Sequence, residues 1–503
     1  MGLARAVFAS CTHPFRQDRN VSSEGKGVNK RIERGQLSPM KNSLNNNTLK
    51  REIGYFSATT LVIANMVGTG IFTTSGFIIK ELANPMTMLL CWLVGGLFAL
   101  CGALCYGELG ARFPHAGGEY VYLREAFGKL TAFLSGWISL IVGFSAPIAA
   151  AAVAFATYFF QALSVPAEPQ VLIPFFGINL ITLSPVTLTA IGVVIFLSML
   201  HYHSLKIGSR VQNLLTLLKV SIILVFIGFG LFSSNGSTAN FGQGIDWGIV
   251  FQDKFAIGLI FISFAYSGWN AAAYIGGEIK HPEKNIPLSL FTGAFLVTGL
   301  YLLLNVVYIY ALPVSQMNGA IDVGAKAAAA LFGKQVGHYF SGAIAIGLLS
   351  VLSAMIMAGP RVYYAMSKDG IFFRRFAKVS KSHHTPAYSI FLQAAIAVVM
   401  ILTASYNKLL IYIGFTLSLF AMLTVIGMMM FRIKRPPSET YQTIGYPLTP
   451  LLFILGNMWI IYYSVRSRPV PALAGLFTIV CGVGVYYFFN RIRKVEKIIP
   501  EIS

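Results

Sequence analysis

Long apolar segments follow one another along the chain, and the polar stretches between them are short. Most segments reach the roughly 20 residues that an α-helix needs to cross a bilayer. Because backbone polar groups inside a bilayer must be satisfied internally, such a series predicts transmembrane helices. We therefore predict an all-α, polytopic membrane protein with twelve segments, at residues 55–80, 86–110, 128–160, 184–202, 208–233, 254–278, 288–312, 335–360, 386–404, 406–431, 447–465 and 470–489.

The composition agrees with this interpretation. Of 503 residues, 55% are hydrophobic and only 11% are charged, whereas soluble proteins average about 25% charged residues. A large soluble helical core would need more charge on its outer faces. An intramembrane enzyme would need a nucleophile with its base, or a metal cluster. Neither pattern occurs in the sequence, so we expect no catalytic residue, no metal and no cofactor.

The net charge of +20 has two interpretations. A basic surface is one signature of nucleic-acid binding. If the N-terminus is cytoplasmic, however, seven of the 38 Lys and Arg residues lie in outer loops, Lys219 lies inside a segment, and the remaining thirty lie on the cytoplasmic side. Such a bias is typical of membrane topology. We expect a multi-pass protein of the cytoplasmic (inner) membrane with both termini cytoplasmic, and no nucleic-acid partner.

The composition also divides the chain into three parts. Residues 1–50 are polar and contain no apolar signal-peptide core, so we expect a disordered cytoplasmic tail. Met40 is an alternative translation start. Residues 51–489 form the expected transmembrane domain, and residues 490–503 form a cytoplasmic C-terminal tail.

Two segments carry glycine where a continuous helix would have its middle. The first segment has VGTG at residues 67–70, and the sixth has YSGWN at residues 266–270. Glycine-interrupted helices at matching positions of two halves indicate a transporter binding site. The alternative is that the glycines allow close helix packing; their paired occurrence favours the binding site.

A helix break frees backbone groups that can hold both charges of an amino acid. The N–H groups that begin the second half suit a carboxylate, and the carbonyls that end the first half suit an ammonium. We expect the carboxylate at Gly68, Thr69 and Gly70, and the ammonium at carbonyls near Ala64 and Phe264. Backbone groups do this without a charged side chain, which is costly at mid-membrane.

Charged side chains inside the segments are few. The only carboxylates there are Glu108 and Glu278, both near cytoplasmic ends. A partner for a polyamine or lysine-like cation is therefore missing, which favours neutral amino acids as substrates. Lys219 lies near the centre of the fifth segment, where an ammonium must be paired, solvated or neutral. We expect its partners among the carbonyls of the first break and the hydroxyls of Ser350 or Ser353.

Two roles stay open for Lys219. In the first, its ammonium stands where a coupling sodium ion would otherwise bind, so transport needs no sodium. In the second, it is a fixed cationic strut.

Several motifs together resemble the amino acid–polyamine–organocation superfamily, and within it the bacterial relatives of the L-type amino acid transporters. GTGIF at residues 68–72 is similar to the motif in the first helix of that family, and FAYSGWN at residues 264–270 is similar to the motif in its sixth. Five further stretches resemble the cytoplasmic loops of that family, namely residues 106–110, 113–120, 278–287, 360–370 and 385–386.

The resemblance implies a LeuT-type fold that works by alternating access. Two inverted five-helix repeats would cover residues 55–233 and 254–431, and two further helices would cover residues 447–489. It also implies roles: Phe264 closes over the substrate as a gate, Asn270 helps to organise binding, and Lys219 occupies the sodium position. The candidate substrate-binding residues are Ala64, Val67, Gly68, Thr69, Gly70, Ile71, Phe264, Ala265, Ser267, Gly268 and Asn270.

The leading prediction is a sodium-independent carrier of neutral amino acids, either coupled to protons or exchanging one amino acid for another. A polyamine or cationic amino acid antiporter of the same superfamily is the alternative, followed by a transporter-like nutrient receptor. Heteromeric L-type transporters join a heavy chain through a cysteine between the third and fourth helices. Residues 161–183 contain none, so we expect no disulfide-linked heavy chain.

Overall fold

The computed structural model describes residues 49–498 of the chain. Within this range it omits residues 167–170, 176–177, 243, 321, 381–382, 404–405, 435–439 and 468. The expected N-terminal tail therefore lies outside the described residues except for residues 49 and 50, and so does the end of the expected C-terminal tail. The domain boundaries stay a prediction.

The first half of the described chain is helical apart from one hairpin. Its helices are α1 (Tyr55–Met66), α2 (Thr69–Leu82), α3 (Pro85–Arg112), α4 (Glu119–Phe127), α5 (Lys129–Ile138), α6 (Ala146–Ala162), α7 (Pro185–His203) and α8 (Leu205–Leu231). A π-helical stretch, Ser139–Ser145, joins α5 to α6. Strands β1 (Val171–Phe175) and β2 (Ile178–Leu183) pair antiparallel before α7, which the sequence analysis did not predict.

The remainder of the described chain is helical as well. Its α-helices are α9 (Trp247–Val250), α10 (Asp253–Ala265), α11 (Ala271–Tyr274), α12 (Pro282–Ala311), α13 (Val314–Met317), α14 (Val323–Phe332), α15 (Lys334–Ala358), α16 (Pro360–Lys368), α17 (Ala387–Thr403), α18 (Tyr406–Lys434), α19 (Leu448–Ser467) and α20 (Pro469–Ile498). Short 3₁₀ turns occupy Thr238–Phe241, Gly276–Glu278 and Arg374–Ala377.

The all-α, polytopic architecture is confirmed. Ten helical stretches among the described residues are long and apolar enough to cross a membrane. The sixth predicted segment is outside that set because it is split between α10 and α11, and the ninth because α17 has only 17 residues. The count of twelve therefore stays a prediction, as does the inverted relation between the repeats.

The outer faces of the helices are apolar. Phe196 on α7 is 66% exposed and Phe229 on α8 is 69% exposed. Large exposed apolar surfaces are unusual on soluble monomers, and a bilayer solvates such side chains without cost.

Local sequence explains where several helices begin. The side chain of Asn84 accepts a hydrogen bond from the Thr87 N–H at 2.8 Å, and Pro85 follows as the first helical residue of α3. Ser184 and Thr187 form a capping box at the start of α7. Both arrangements satisfy N–H groups that a helix leaves open at its start.

Both predicted interruptions are present. The first helix stops at Met66, Gly68 adopts an extended conformation, and α2 resumes at Thr69. The sixth segment stops at Ala265 and resumes at Ala271. Gly268 lies between them with φ +94°, in the left-handed region that glycine occupies without strain.

We predict that Gly268→Ala destabilises the protein. A Cβ at this position would lie 2.8 Å from the Cβ of Asn65 and would meet the unfavourable φ, which together cost about 1–3 kcal/mol. The thermal unfolding midpoint of the purified protein should fall. Gly192→Ala is the matched control, because a Cβ there meets nothing within 4 Å. Equal midpoints for the two variants would contradict the prediction.

Candidate functional site

The two interrupted segments meet at their breaks. A Cβ on Gly70 would lie only 2.7 Å from the Cα of Ala265, and a Cβ on Gly268 would lie 3.0 Å from the carbonyl carbon of Asn65. The glycines therefore also allow close helix packing, the alternative explanation given above. In this structure, close packing of the two segments and breaks in their helices occur at the same residues.

Lys219 of α8 is bonded to the first break. Its Nζ donates hydrogen bonds to the carbonyl of Val67 at 2.7 Å and to that of Ala64 at 3.1 Å. The side chain is 2% exposed, and its stem lies against Gly347 of α15. These carbonyls are the backbone partners that the sequence analysis expected. The role of Lys219 in transport stays a prediction.

The two serines expected beside Lys219 have other partners. Ser350 Oγ and Thr216 Oγ1 are hydrogen-bonded to each other at 3.0 Å, and Ser353 Oγ lies 2.8 Å from His201 Nε2. Neither serine hydrogen-bonds Lys219, so that part of the expectation is wrong. The physical reason is that the two backbone carbonyls already satisfy the ammonium, while Thr216 and His201 themselves need partners in the buried interior.

Tyr301 of α12 joins the two breaks, and the sequence analysis missed it. Its hydroxyl lies 2.6 Å from the carbonyl of Met66 and 3.0 Å from that of Ala265. These are the last residues of α1 and α10, so one hydroxyl serves the carbonyl end of both half-helices. The ring packs edge-to-face on Trp92, with centroids 5.3 Å apart.

The helix α2 begins directly after the first break. Gly68 precedes it in an extended conformation, and no side chain caps the helix. The first-turn N–H groups of a helix lack intrahelical acceptors and carry partial positive charge. This geometry suits the carboxylate of an amino acid at Thr69 and Gly70, whereas the Gly68 N–H already donates to the Met66 carbonyl at 2.8 Å. Carboxylate binding itself stays a prediction.

A cavity of about 120 Å³ opens at the break in the sixth segment. The predicted site residues in its wall are Phe264, Ser267, Gly268 and Asn270. The other predicted ones lie outside the wall, namely Ala64, Val67, Gly68, Thr69, Gly70, Ile71 and Ala265. Asn65 is the residue of the first segment that lines the cavity. Phe264 is half-buried at the cavity, a position that suits a gate.

Glu119 also lines this cavity, although it lies outside every predicted segment. It is the first residue of α4 and is 5% exposed. Tyr274 Oη donates to its Oε2 at 3.1 Å, and Asn270 Nδ2 donates to Tyr274 Oη at 3.2 Å. From the resemblance we expected Glu119, like Glu108, to stabilise the cytoplasmic loop rather than to move protons; its place in the cavity wall was not predicted.

Two ion pairs, one buried and one partly buried, lie away from the breaks. Arg361 of α16 binds Glu278 with both contacts near 3 Å, and both side chains are almost fully buried. Arg432 of α18 binds Glu108 of α3 in the same bidentate manner. Such pairs give geometric specificity, so they fix the ends of α3, α16 and α18. Glu108 is fully engaged in its pair.

The fold and the paired breaks define a helical membrane transporter, and comparison with known proteins identifies the family. Residues 53–487 match the family model described as amino acid permease. The chain belongs to this family, as the resemblance predicted. Its members are transporters, not enzymes.

Individual relatives cover most of the chain. The serine/threonine exchanger SteT of Bacillus subtilis (strain 168) is 29% identical over 463 residues, 90% of this chain and 99% of the relative. The b(0,+)-type amino acid transporter 1 of Homo sapiens is 28% identical, covering 90% and 91%. The large neutral amino acids transporter small subunit 2 of Homo sapiens is 28% identical, covering 87% and 80%.

We predict that Tyr301→Phe destabilises the junction of the two breaks. The ring would stay, but the two buried carbonyls would lose the one hydroxyl proton that they share, at a cost of about 1–3 kcal/mol. The thermal unfolding midpoint should drop. Tyr308→Phe is the matched control on the same helix, because the Tyr308 hydroxyl has no partner among the described residues. A Tyr301→Phe protein as stable as Tyr308→Phe would refute the bridging role.

Proposed function

We propose that the protein exchanges neutral amino acids across the cytoplasmic membrane by alternating access and without sodium. The observation that carries the proposal is the Lys219 ammonium held by the carbonyls of Ala64 and Val67. Carbonyls freed by a broken helix are also what a transporter uses to coordinate a sodium ion. Here the chain supplies its own cation to them, and this takes the place of a coupling ion.

The substrate is held by its main-chain groups. Its carboxylate binds the N–H groups at the start of α2, which adjoin the cavity but lie outside its wall in this structure. Its ammonium binds the carbonyl end of α10 near Phe264, beside the Ala265 carbonyl that Tyr301 already bonds. Since the Ala64 carbonyl already accepts a bond from Lys219, that group contributes less than the sequence analysis expected. Asn270 and Ser267 complete the polar side of the cavity, and Phe264 closes over it.

The size of the cavity and the names of the relatives both favour substrates with small neutral side chains. Its volume of about 120 Å³ is below the roughly 300–1,000 Å³ typical of sites for drug-sized ligands. Much of the wall is apolar or small, including Gly95, Ala99, Gly143 and Ala271. The relative SteT is named a serine/threonine exchanger, which supports both exchange and a small substrate.

One observation favours the second candidate, a cationic amino acid or polyamine antiporter. Glu119 places a carboxylate in the cavity wall, and its Oε1 makes no hydrogen bond in the described chain. A cationic side chain would find a partner there. Substrate selection decides between the two candidates.

We further propose that both termini are cytoplasmic and that the protein needs no disulfide-linked heavy chain. The asymmetry of Lys and Arg along the loops supports the orientation. The absence of cysteine from residues 161–183 supports the second point, although one relative carries the name of a small subunit.

We predict sodium-independent exchange in proteoliposomes that contain the full chain. Labelled L-serine should enter vesicles preloaded with unlabelled L-serine, and equally well in sodium and choline media. Empty vesicles should take up little, with or without a pH gradient, and L-lysine should compete poorly. Lys219→Gln should lose exchange because the carbonyls lose their ammonium, whereas exposed Lys254→Gln serves as control.

Each departure from this result has a defined meaning. A sodium requirement would remove the role given to Lys219. Uptake into empty vesicles driven by a pH gradient would establish proton symport in place of exchange. Preferential uptake of L-lysine or a polyamine would establish the second candidate.

We predict opposite labelling at two exposed lysines changed to cysteine in a chain whose native cysteines are replaced by alanine. In intact cells a membrane-impermeant maleimide should label Lys254→Cys, before α10, and not Lys284→Cys, at the start of α12. Lysis should expose both. The reverse pattern would overturn the orientation, and a reductant-sensitive larger band from native membranes would overturn the single-chain proposal.

A further inference from the structure

Glu119 is a buried carboxylate without an ion pair. It is 5% exposed, and among the described residues no Lys, Arg or His side chain lies within salt-bridge distance of it. This contrasts with Glu108 and Glu278, which are each neutralised by an arginine. A buried carboxylate without a counter-charge is favoured in its protonated, neutral form.

The groups that face Glu119 are hydroxyls. Tyr274 reaches it from α11, Tyr106 from α3, Tyr122 from its own helix and Thr424 from α18. Of its two carboxylate oxygens, Oε2 accepts a bond from Tyr274, while Oε1 has no hydrogen-bond partner in the described chain. An unpartnered oxygen at a cavity wall is an atom that can take up a proton.

We propose that Glu119 is a proton-binding site whose state is passed through Tyr274 to Asn270, so that protonation and amino acid binding in the cavity influence each other. This rests on the proposed function, because it concerns the same cavity. It goes beyond that function by adding a titratable group outside the segments and a hydrogen-bonded path from that group to the cavity.

The donor and acceptor roles along the Glu119–Tyr274–Asn270 hydrogen-bond chain reverse when the charge of Glu119 changes. In the structure, Asn270 donates to Tyr274 and Tyr274 donates to the carboxylate. The amide oxygen of Asn270 is then free for a donor in the cavity. When Oε1 binds a proton, the carboxyl group can turn and donate to Tyr274. Tyr274 can then donate to the amide oxygen of Asn270, which leaves the amide N–H₂ for the cavity.

The substrate distinguishes these two states. An ammonium is a donor only, so it binds better when the Asn270 oxygen is free and Glu119 is charged. Binding of the amino acid should therefore expel a proton from Glu119, and a rise in pH should strengthen binding. Reciprocity between the two sites follows from thermodynamic linkage.

The position of the transition follows from the surroundings of Glu119. Burial raises the pKa of its carboxyl group from the ordinary value to about 7, against the opposing effect of the hydrogen bond from Tyr274 and of the nearby hydroxyls of Tyr106 and Thr424. Glu119 is then neutral below this pH and charged above it. Each unit by which the substrate lowers that pKa corresponds to about a tenfold difference in affinity between low and high pH.

The test is equilibrium binding of labelled L-serine, and in parallel L-leucine, to the purified full chain between pH 5.5 and 8.5. For the wild type we expect affinity to rise about tenfold across neutral pH. Glu119→Gln should bind weakly and without pH dependence, because its amide donates to Tyr274 as the neutral acid does. Glu125→Gln, an exposed carboxylate on the same helix, should keep the wild-type profile.

A second variant and a second measurement distinguish loss of the proton site from misfolding of Glu119→Gln. Tyr274→Phe interrupts the path and should also flatten the profile, while unfolding midpoints report whether each variant folds. In the wild type alone, adding L-serine in weakly buffered solution at pH 7 should release protons that a pH indicator dye detects.

The outcomes separate the two proposals. Failure of the wild type to bind any amino acid at any pH would refute the proposed function. Binding that is flat across pH in the wild type, or a wild-type profile retained by Glu119→Gln, would refute the proton site while leaving the proposed function intact. Binding of L-serine without proton release at pH 7 would also refute the proton site.

Discussion

Backbone groups that cannot reach water constrain this structure more than any other feature. An unpaired peptide group in a bilayer costs several kcal/mol, so a helix can be broken there only where other parts of the chain satisfy its ends. Lys219 does this for Ala64 and Val67, and the Tyr301 hydroxyl does it for Met66 and Ala265. The breaks exist because α8 and α12 supply donors to them.

The two glycine sites make this arrangement compact. Gly70 allows α2 to approach Ala265, and Gly268 allows the sixth segment to approach Asn65. The cavity forms directly beside these contacts, with Phe264 and Asn270 in its wall. Local backbone freedom, close packing and a small cavity therefore arise from the same few residues.

The breaks were predictable because glycine marks them in otherwise apolar helices, and carbonyl partners for Lys219 followed from the need to satisfy a buried ammonium. Tyr301 and Glu119 were not. A tyrosine in an apolar segment has no local signature, and the burial of Glu119 depends on the contact between the start of α4 and Tyr274 of α11. The pairing of Ser350 with Thr216 depended likewise on side-chain geometry that spacing does not encode.

In the proposed function, covalent attachment of the Lys219 cation has an energetic consequence for the cell. An ion that dissociates on each side of a membrane can be driven by its own gradient, whereas a side chain returns to the same place in every cycle. If exchange is the mode of transport, the carrier cannot accumulate a solute by spending an ionic gradient at this position. The gradients of the exchanged amino acids across the membrane would then set the direction in which each of them moves.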